Sequence, residues 1–443
     1  MTSARNRELL ALVPVAALLT AGFAAVFSQE NEQLGNLSLI YGAYFLALCL
    51  ATHIFLRIRL PNADPYLFPL MATLTAFGLV MIYRIDEGLA RDQANWFVLG
   101  LVLFALTIQF LRDYEVLERY RYTIAIAGLL LLLAPRVPGV GQQVNGAYLG
   151  VKIGPLAFQP AEFTKIAIVV FLASYLREHR EVLVVGARRI LGVTLPPLKH
   201  FGPMLVVWGA SMFMLVFIRD LGSSLMFFAA FLALLYVATG RFSFVVIGMA
   251  MFLVGAWFFA STVPHVQERF DIWLHPYEDP ENSGYQILNS IFAQADGGLF
   301  GKGFGEALIT VPGGGPLLPA AQTDMIYALI VNEVGLFGAV GVVLVYTLIA
   351  ARGFRIALLA GDGFSKLLAT GLTAVFAIQA FVIIGGVTRV IPLTGVTLPF
   401  ISYGGSSIVA NFVLLALLLL ISDRARREAA EPGGRMAAMG APA

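Results

Sequence analysis

The chain has 443 residues, of which 59% are hydrophobic and 13% charged, against roughly 45–50% and about 25% in soluble domains. A chain this apolar cannot cover a water-soluble globule with polar surface, so the excess faces lipid. The formal net charge of +2 gives no support for nucleic-acid binding, and the single cysteine, Cys49, excludes an intramolecular disulfide or a thiolate metal site. None of His53, His179, His200, His265 and His275 stands four residues from another, which removes the helical histidine pair as a metal holder.

Taking a span as about 20 mostly apolar residues, the sequence predicts an all-α polytopic membrane protein. Its twelve spans fall near 8–28, 38–56, 66–83, 95–111, 122–135, 159–176, 200–218, 220–239, 243–262, 323–351, 367–388 and 398–422. The stretch at 122–135 is the shortest. The first span follows Arg5 and Arg7 in the manner of a signal peptide, but its apolar run is too long and a second span follows at once. Most of the 29 Lys and Arg residues fall on the connections that share a side with the N-terminus, including Arg57, Arg119, Arg121, Arg177, Lys199, Arg352 and Arg426. By the excess of basic residues on cytoplasmic loops, both termini are expected inside the cell.

One connection breaks the pattern of short loops. Residues 263–322 form a long Gly- and Pro-rich outer segment, and loops of that length are more often functional than filler. It opens on Gln267-Glu268-Arg269-Phe270-Asp271 and runs through Asp279-Pro280 to Gly284-Tyr285-Gln286. A glycine run around Lys302 and the stretch Pro312 to Pro316 suit tight turns. Lys302 is not the lysine of a P-loop, because Asp296 stands where the first glycine belongs and Gly303 where Ser or Thr should follow.

Ionisable groups at membrane depth are costly and therefore candidates for function. Glu162 and Lys165 lie at i, i+3 at the start of the sixth span, placed to pair on one helix face; a helix-end anchor is the competing role. Arg219 and Asp220 occupy a very short turn, where snorkelling to the interface competes. Asp324, after Thr323, stands at an outer helix start, where N-capping competes. Glu333 falls inside the tenth span and Arg389 ends the eleventh.

Four blocks together resemble a known family, the SEDS proteins (shape, elongation, division and sporulation), the RodA and FtsW group of peptidoglycan glycosyltransferases. Phe158-Gln159-Pro160-Ala161-Glu162-Phe163-Thr164-Lys165 is similar to its F-Q-P-S/A-E-x-x-K block, and Asp220-Leu221-Gly222-Ser223-Ser224 to its D-L-G-S/T block. Asp279-Pro280 with Gly284-Tyr285-Gln286, Gly301-Lys302-Gly303 and Thr323-Asp324 resemble its large extracellular loop. Pro392-Leu393-Thr394-Gly395 and Leu398 to Ser407, with Ser402, Tyr403 and Ser406, resemble its final-helix signature. Departures are Tyr148 after Asn145-Gly146-Ala147 where the family has Arg-Trp, Ile218-Arg219 in place of Gln-Pro, and Arg389 in place of a glycine. The short polar segment after the last span looks more like the elongation members.

The resemblance implies a ten-span core at 62–422 carrying the catalytic loop, two additional N-terminal spans within 1–61, and a cytoplasmic tail at 423–443. It also implies lipid II as substrate, a bacterial plasma-membrane location and a class B penicillin-binding protein as transpeptidase partner. Asp279 is the expected general base for an inverting transfer that releases polyprenyl pyrophosphate. Arg269, Lys302, Arg219, Arg389 and Lys165 are the available cations, with Glu162, Asp220, Tyr285, Gln286, Thr323, Asp324, Ser402, Tyr403 and Ser406 lining the substrate site. No cofactor is expected, although a divalent cation bridging the pyrophosphate is compatible with the chemistry; no cage for one is visible in the sequence. The alternative is a lipid II flippase, which would use the same inward polar residues as a headgroup path.

Overall fold

Inside a bilayer every backbone N–H and C=O must find its partner within the protein, so long apolar runs become helices. The computed structural model of the chain describes residues 4–30, 36–144, 147–153, 156–185, 188–190, 193–195, 209, 220–307 and 317–430. Among these, nine helices are long and apolar enough to cross a membrane, and the protein is a polytopic helical membrane protein. The predicted seventh span at 200–218, apart from residue 209, and Arg219 lie outside the described residues, as do Asn145, Gly146, Lys199 and Pro312 to Pro316.

The chain divides into two compact units: residues 1–112, 271–352 and 379–443 form one, and 113–270 with 353–378 the other. In the first unit, helices α1 (Ala4–Glu30), α2 (Asn36–Arg59), α3 (Leu67–Ile85) and α4 (Glu87–Phe110) pack together, and the long last helix lies on α4. Close approach of α4 to that helix depends on a glycine, since a Cβ on Gly100 would stand 2.6 Å from the Phe412 ring. Phe97, Phe104 and Phe400 surround the same ring edge-on, a geometry that adds attraction to area burial. At one end Asp64 receives Arg352 at 3.3 Å and is also paired with Arg426, while its N–H donates to Ser422 Oγ at 3.0 Å. Arg5 on α1 reaches the carbonyl of Ala63 and the buried Glu8, whose other oxygen meets His53 Nδ1 at 2.7 Å. Helices α1 and α2 are thereby tied to the residues just before α3.

The second unit contains α5 (Val116–Arg119), α6 (Arg121–Leu133), α7 (Pro160–Val185), α8 (Leu221–Thr239) and α9 (Phe242–Thr262). Gly128 lets α6 lie against Ala167 and Thr164 of α7, and the Thr164 hydroxyl donates to the Gly128 carbonyl at 3.2 Å. The predicted spans at 122–135 and 159–176 correspond to α6 and α7, neither of which is among the nine. With 13 residues α6 is shorter than a bilayer core requires, and α7 carries Glu162, Lys165 and a charged second half. Between them, three short antiparallel strands, β1 (Gly141–Val144), β2 (Ala147–Ile153) and β3 (Leu156–Phe158), form a meander, and a second pair joins β4 (Arg188–Ile190) to β5 (Val193–Leu195). These strands are an addition to the all-α expectation. They sit in connections, where hydropathy carries no signal.

The predicted long outer loop is built rather than extended. It contains α10 (Pro264–Leu274) and α11 (Tyr285–Gly297). The tenth span becomes α12 (Ile326–Leu359), interrupted at Gly335, whose φ of 67° and ψ of −175° no helical residue adopts. Helix α13 (Gly363–Val387) follows, then an irregular stretch, then α14 (Gly405–Ala430), which begins later than the predicted start at 398.

Candidate functional site

In the second unit, α7 opens with Pro160, whose ring suits a first helical position. One turn on, Lys165 Nζ meets Glu162 Oε2 at 2.6 Å with both side chains almost fully enclosed. Two ions so buried are stabilised only as a pair, since taking either from water is costly. Asp220 caps α8: Ser223 donates its N–H to Oδ1 at 2.9 Å and its hydroxyl to Oδ2 at 2.6 Å. Arg269 and Glu162 both act electrostatically on Asp220, so the structure brings Glu162, Lys165, Asp220 and Arg269 into one polar neighbourhood of this unit.

The remaining candidates belong to the first unit. Asp279 lies half-buried in the turn before α11 and accepts from Asn282 Nδ2 at 2.9 Å, Ser283 N at 3.2 Å and Ser283 Oγ at 3.1 Å. These donors, the Asn282 amide first, hold its carboxyl below the usual aspartate range. The turn closes on Gly284, where an added Cβ would stand 2.1 Å from the Pro276 carbonyl oxygen. Tyr285 and Gln286 form the first turn of α11, half-buried.

Lys302 sits on the glycine segment that fills the break in α12. Its N–H donates to the Asn332 carbonyl at 2.9 Å and that of Gly303 to the Glu333 carbonyl at 3.0 Å. Beyond the break, Leu336 and Phe337 donate to the carbonyls of Gly298 and Leu299 at 3.0 and 3.1 Å. The interrupted helix thus regains from the loop the hydrogen bonds it loses at Gly335. The Lys302 side chain is exposed and pairs with Asp296 at 2.9 Å, and its hydrogen bond lowers the Asp296 carboxyl.

Arg389, predicted as a phosphate contact, has a backbone φ of 61° and gives Nε to the Trp273 carbonyl at 2.8 Å and a terminal nitrogen to Leu274 at 2.9 Å. Trp273 Nε1 returns a bond to the Arg389 carbonyl at 3.0 Å. The guanidinium therefore caps the C-terminal end of α10, where a cation favours the helix dipole. Ser402, Tyr403, Thr323 and Asp324 converge. The buried Ser402 hydroxyl bonds the Thr323 carbonyl and receives Leu398 N at 2.8 Å, Tyr403 N donates to Gln322 O at 2.8 Å, and the Thr323 hydroxyl donates to Asp324 Oδ1 at 2.9 Å. Ser406 is buried at the second position of α14.

Two residues with structural weight here escaped the sequence reading. Gln93, 2% exposed on α4, holds the stretch before α14 with both ends of its amide, donating to Ser402 O at 3.1 Å and accepting from Gly404 N at 3.2 Å. Arg84 at the end of α3 donates to the carbonyls of Gly305 and Ala307 and stands 3.4 Å from the buried Glu333. Glu333 was visible as a charge in an apolar span; its partner was not. Among the described residues no group of three or more His, Cys, Asp or Glu side chains converges to hold a metal.

Lipid-length helices with buried ionic pairs near their ends and a folded, glycine-fastened loop define a polytopic membrane protein with a polar site. The profile of the family described as cell cycle protein, that of FtsW, RodA and SpoVE, matches residues 65–427, and the chain belongs to that family. It is 40% identical over 434 residues to the peptidoglycan glycosyltransferase RodA of Mycobacterium bovis, an alignment covering 96% of this chain and 91% of that protein. A chain in a solved peptidoglycan synthase complex that coordinates polymerization and crosslinking is similar with a TM-score of 0.66 and 28% identity, covering 82% of this chain and 98% of that one. The rod shape determining protein RodA of Thermus thermophilus is similar with a TM-score of 0.58 and 26% identity, covering 83% and 98%.

Proposed function

We propose that the chain is a membrane-embedded peptidoglycan glycosyltransferase that polymerises lipid II during cell elongation, with both termini cytoplasmic and the site on the outer face. The reading rests above all on its 40% identity, along 96% of its length, to a protein named for that activity. An outer-face enzyme meets no nucleotide sugars, so its donor must carry its own leaving group, and a polyprenyl pyrophosphate does so. In this reading the core at 62–422 carries the activity, and a class B penicillin-binding protein is the partner, in keeping with the synthase complex to which a similar chain belongs.

Asp279 acts as the base. Its hydrogen bonds keep it ionised at neutral pH, the form that accepts a proton. The donors from Asn282 and Ser283 hold the carboxylate in a fixed orientation, in which it receives the incoming 4-hydroxyl. As that oxygen bonds the anomeric carbon of the muramic sugar, its proton passes to Asp279 and the bond to pyrophosphate breaks, with inversion. The departing charge is met by a cation of the same loop, such as Lys302. The leaving group is already an anion, so no second carboxylic acid is required. The flippase alternative is not favoured by the activity for which the similar proteins are named.

The test is lipid II polymerisation by the purified chain. Asp279→Asn should fold normally and lose about 10²–10⁴-fold in rate, the usual contribution of a positioned base. Amide variants of Asp271, Glu278 and Glu281, all exposed, should remain near normal. Normal synthesis by Asp279→Asn would remove the base from this loop.

A further inference from the structure

The second unit contains, at its basic end, a cavity of about 540 Å³ lined by Glu118, Arg119, Arg121, Tyr122, Arg177 and Glu178. None of these belongs to the proposed transfer site. Arg177 pairs with Glu118 and Arg121 with Glu178, which fastens α5 and α6 to α7. Arg121 also donates to Ser174 Oγ at 3.3 Å, and the stem of Arg177 lies against Gly363, whose Cβ would stand 3.5 Å from its Cγ. Three guanidiniums therefore face two carboxylates. Arg119 is the charge in excess: it is exposed, lies over the Tyr120 ring at 5.9 Å, and has no carboxylate within ion-pair distance among the described residues. A cavity with net positive charge selects an anion, and arginine forks suit phosphate.

The surroundings identify the kind of anion. Tyr122, which lines the cavity, and Tyr120, two residues before it, are each 51% exposed, as aromatic side chains are at a membrane interface. From Tyr122 the exposed face of α6 continues through Ile126 and Leu130, 58% and 64% exposed, at i, i+4 and i+8. The opposite face of α6 is the one closed on α7 through Gly128. The charged cavity thus opens onto an apolar track along a helix axis. A soluble phosphate would use the cavity and leave the track bare; a phospholipid uses both.

We propose that this corner is a binding site for one anionic phospholipid. The phosphate is held by Arg119 with Arg121 and Arg177 beside it, and an acyl chain lies along Tyr122, Ile126 and Leu130. Basic pockets between helices at a membrane surface recognise lipid headgroups by this combination of charge and apolar contact.

The full chain, purified and placed in phosphatidylcholine nanodiscs doped with phosphatidylglycerol, should retain about one phosphatidylglycerol per protein when examined by native mass spectrometry. Arg119→Gln breaks neither ion pair and should weaken that retention roughly fivefold, which corresponds to about 1 kcal/mol per basic residue near an anionic surface. Ile126→Ser should weaken it as well, while Arg355→Gln, a basic residue outside the cavity, should not. Equal retention by wild type and Arg119→Gln overturns the proposal. Displacement of the lipid by millimolar orthophosphate would make the cavity a site for free phosphate and also overturn it. So would a preference for polyprenyl pyrophosphate over phosphatidylglycerol, which would make the corner a substrate site.

Discussion

Removing the charge of Glu333 tests whether the break in α12 is held by an ion pair reaching from another helix. Glu333 is 1% exposed, and its Oε1 stands 3.4 Å from Arg84 Nε in a contact that is ionic rather than hydrogen-bonded. Opposite charges about 4 Å apart attract by about 4 kcal/mol at an effective dielectric of roughly 20, and removing one partner of a buried pair costs about 3–5 kcal/mol. Arg84 would keep its carbonyl partners Gly305 and Ala307, so Glu333→Gln belongs at the lower end, about 3 kcal/mol. That loss falls on the glycine segment, whose Lys302 and Gly303 N–H groups bond the carbonyls of Asn332 and Glu333. With every 1.4 kcal/mol worth tenfold, those two amides should exchange hydrogen about 10²-fold faster in the variant. The double variant Arg84→Met/Glu333→Leu, which leaves no charge unpaired, should exchange far more slowly than the two single effects combined would give. Unchanged exchange in Glu333→Gln, or strict additivity in the double variant, would refute the reasoning.

Gly335→Ala should sharply reduce the yield of folded protein in detergent, because φ is 67° and the new Cβ would lie 2.3 Å from Gly301 N; Gly341→Ala on the same helix, with nothing within 4 Å, should be tolerated. Gln93→Ala leaves the Ser402 carbonyl and Gly404 N–H without their partner, a loss of about 1–3 kcal/mol for each buried polar group so orphaned, to be read as a lowered thermal midpoint. Asp279 titrates below its ordinary value in the folded chain, so its bonds to Asn282 and Ser283 stabilise the turn above the unfolded aspartate pKa of about 3.9 and are lost as pH falls through the folded value. Protease sensitivity of residues 276–284 should therefore be flat from pH 7 to about pH 5 and rise only below about pH 4; loosening centred near pH 6 would contradict this origin.

Hydropathy by itself determines the nine helices of spanning length among the described residues, because a backbone in lipid must satisfy its own hydrogen bonds and the required length is set by the bilayer. The i, i+3 spacing of Glu162 and Lys165 foretells an ion pair, which the helix delivers at 2.6 Å, while Asp220, expected in a short turn at the membrane edge, caps the helix that follows it. These are short-range facts, decided within one or two turns. The interruption of α12 is not legible: Asn332, Glu333 and Gly335 mark a less apolar stretch, but only contact with residues 298–303 gives Gly335 its conformation. Nor is the work of Arg389: as a charge at a span end it reads as a phosphate ligand, and the carbonyls it caps belong to Trp273 and Leu274, far off in the chain. The partner of Glu333 and the clamp formed by Gln93 have the same character. A sequence pattern reports which groups must be satisfied; which distant group satisfies them depends on the faces that packing brings together, and that is settled only in three dimensions.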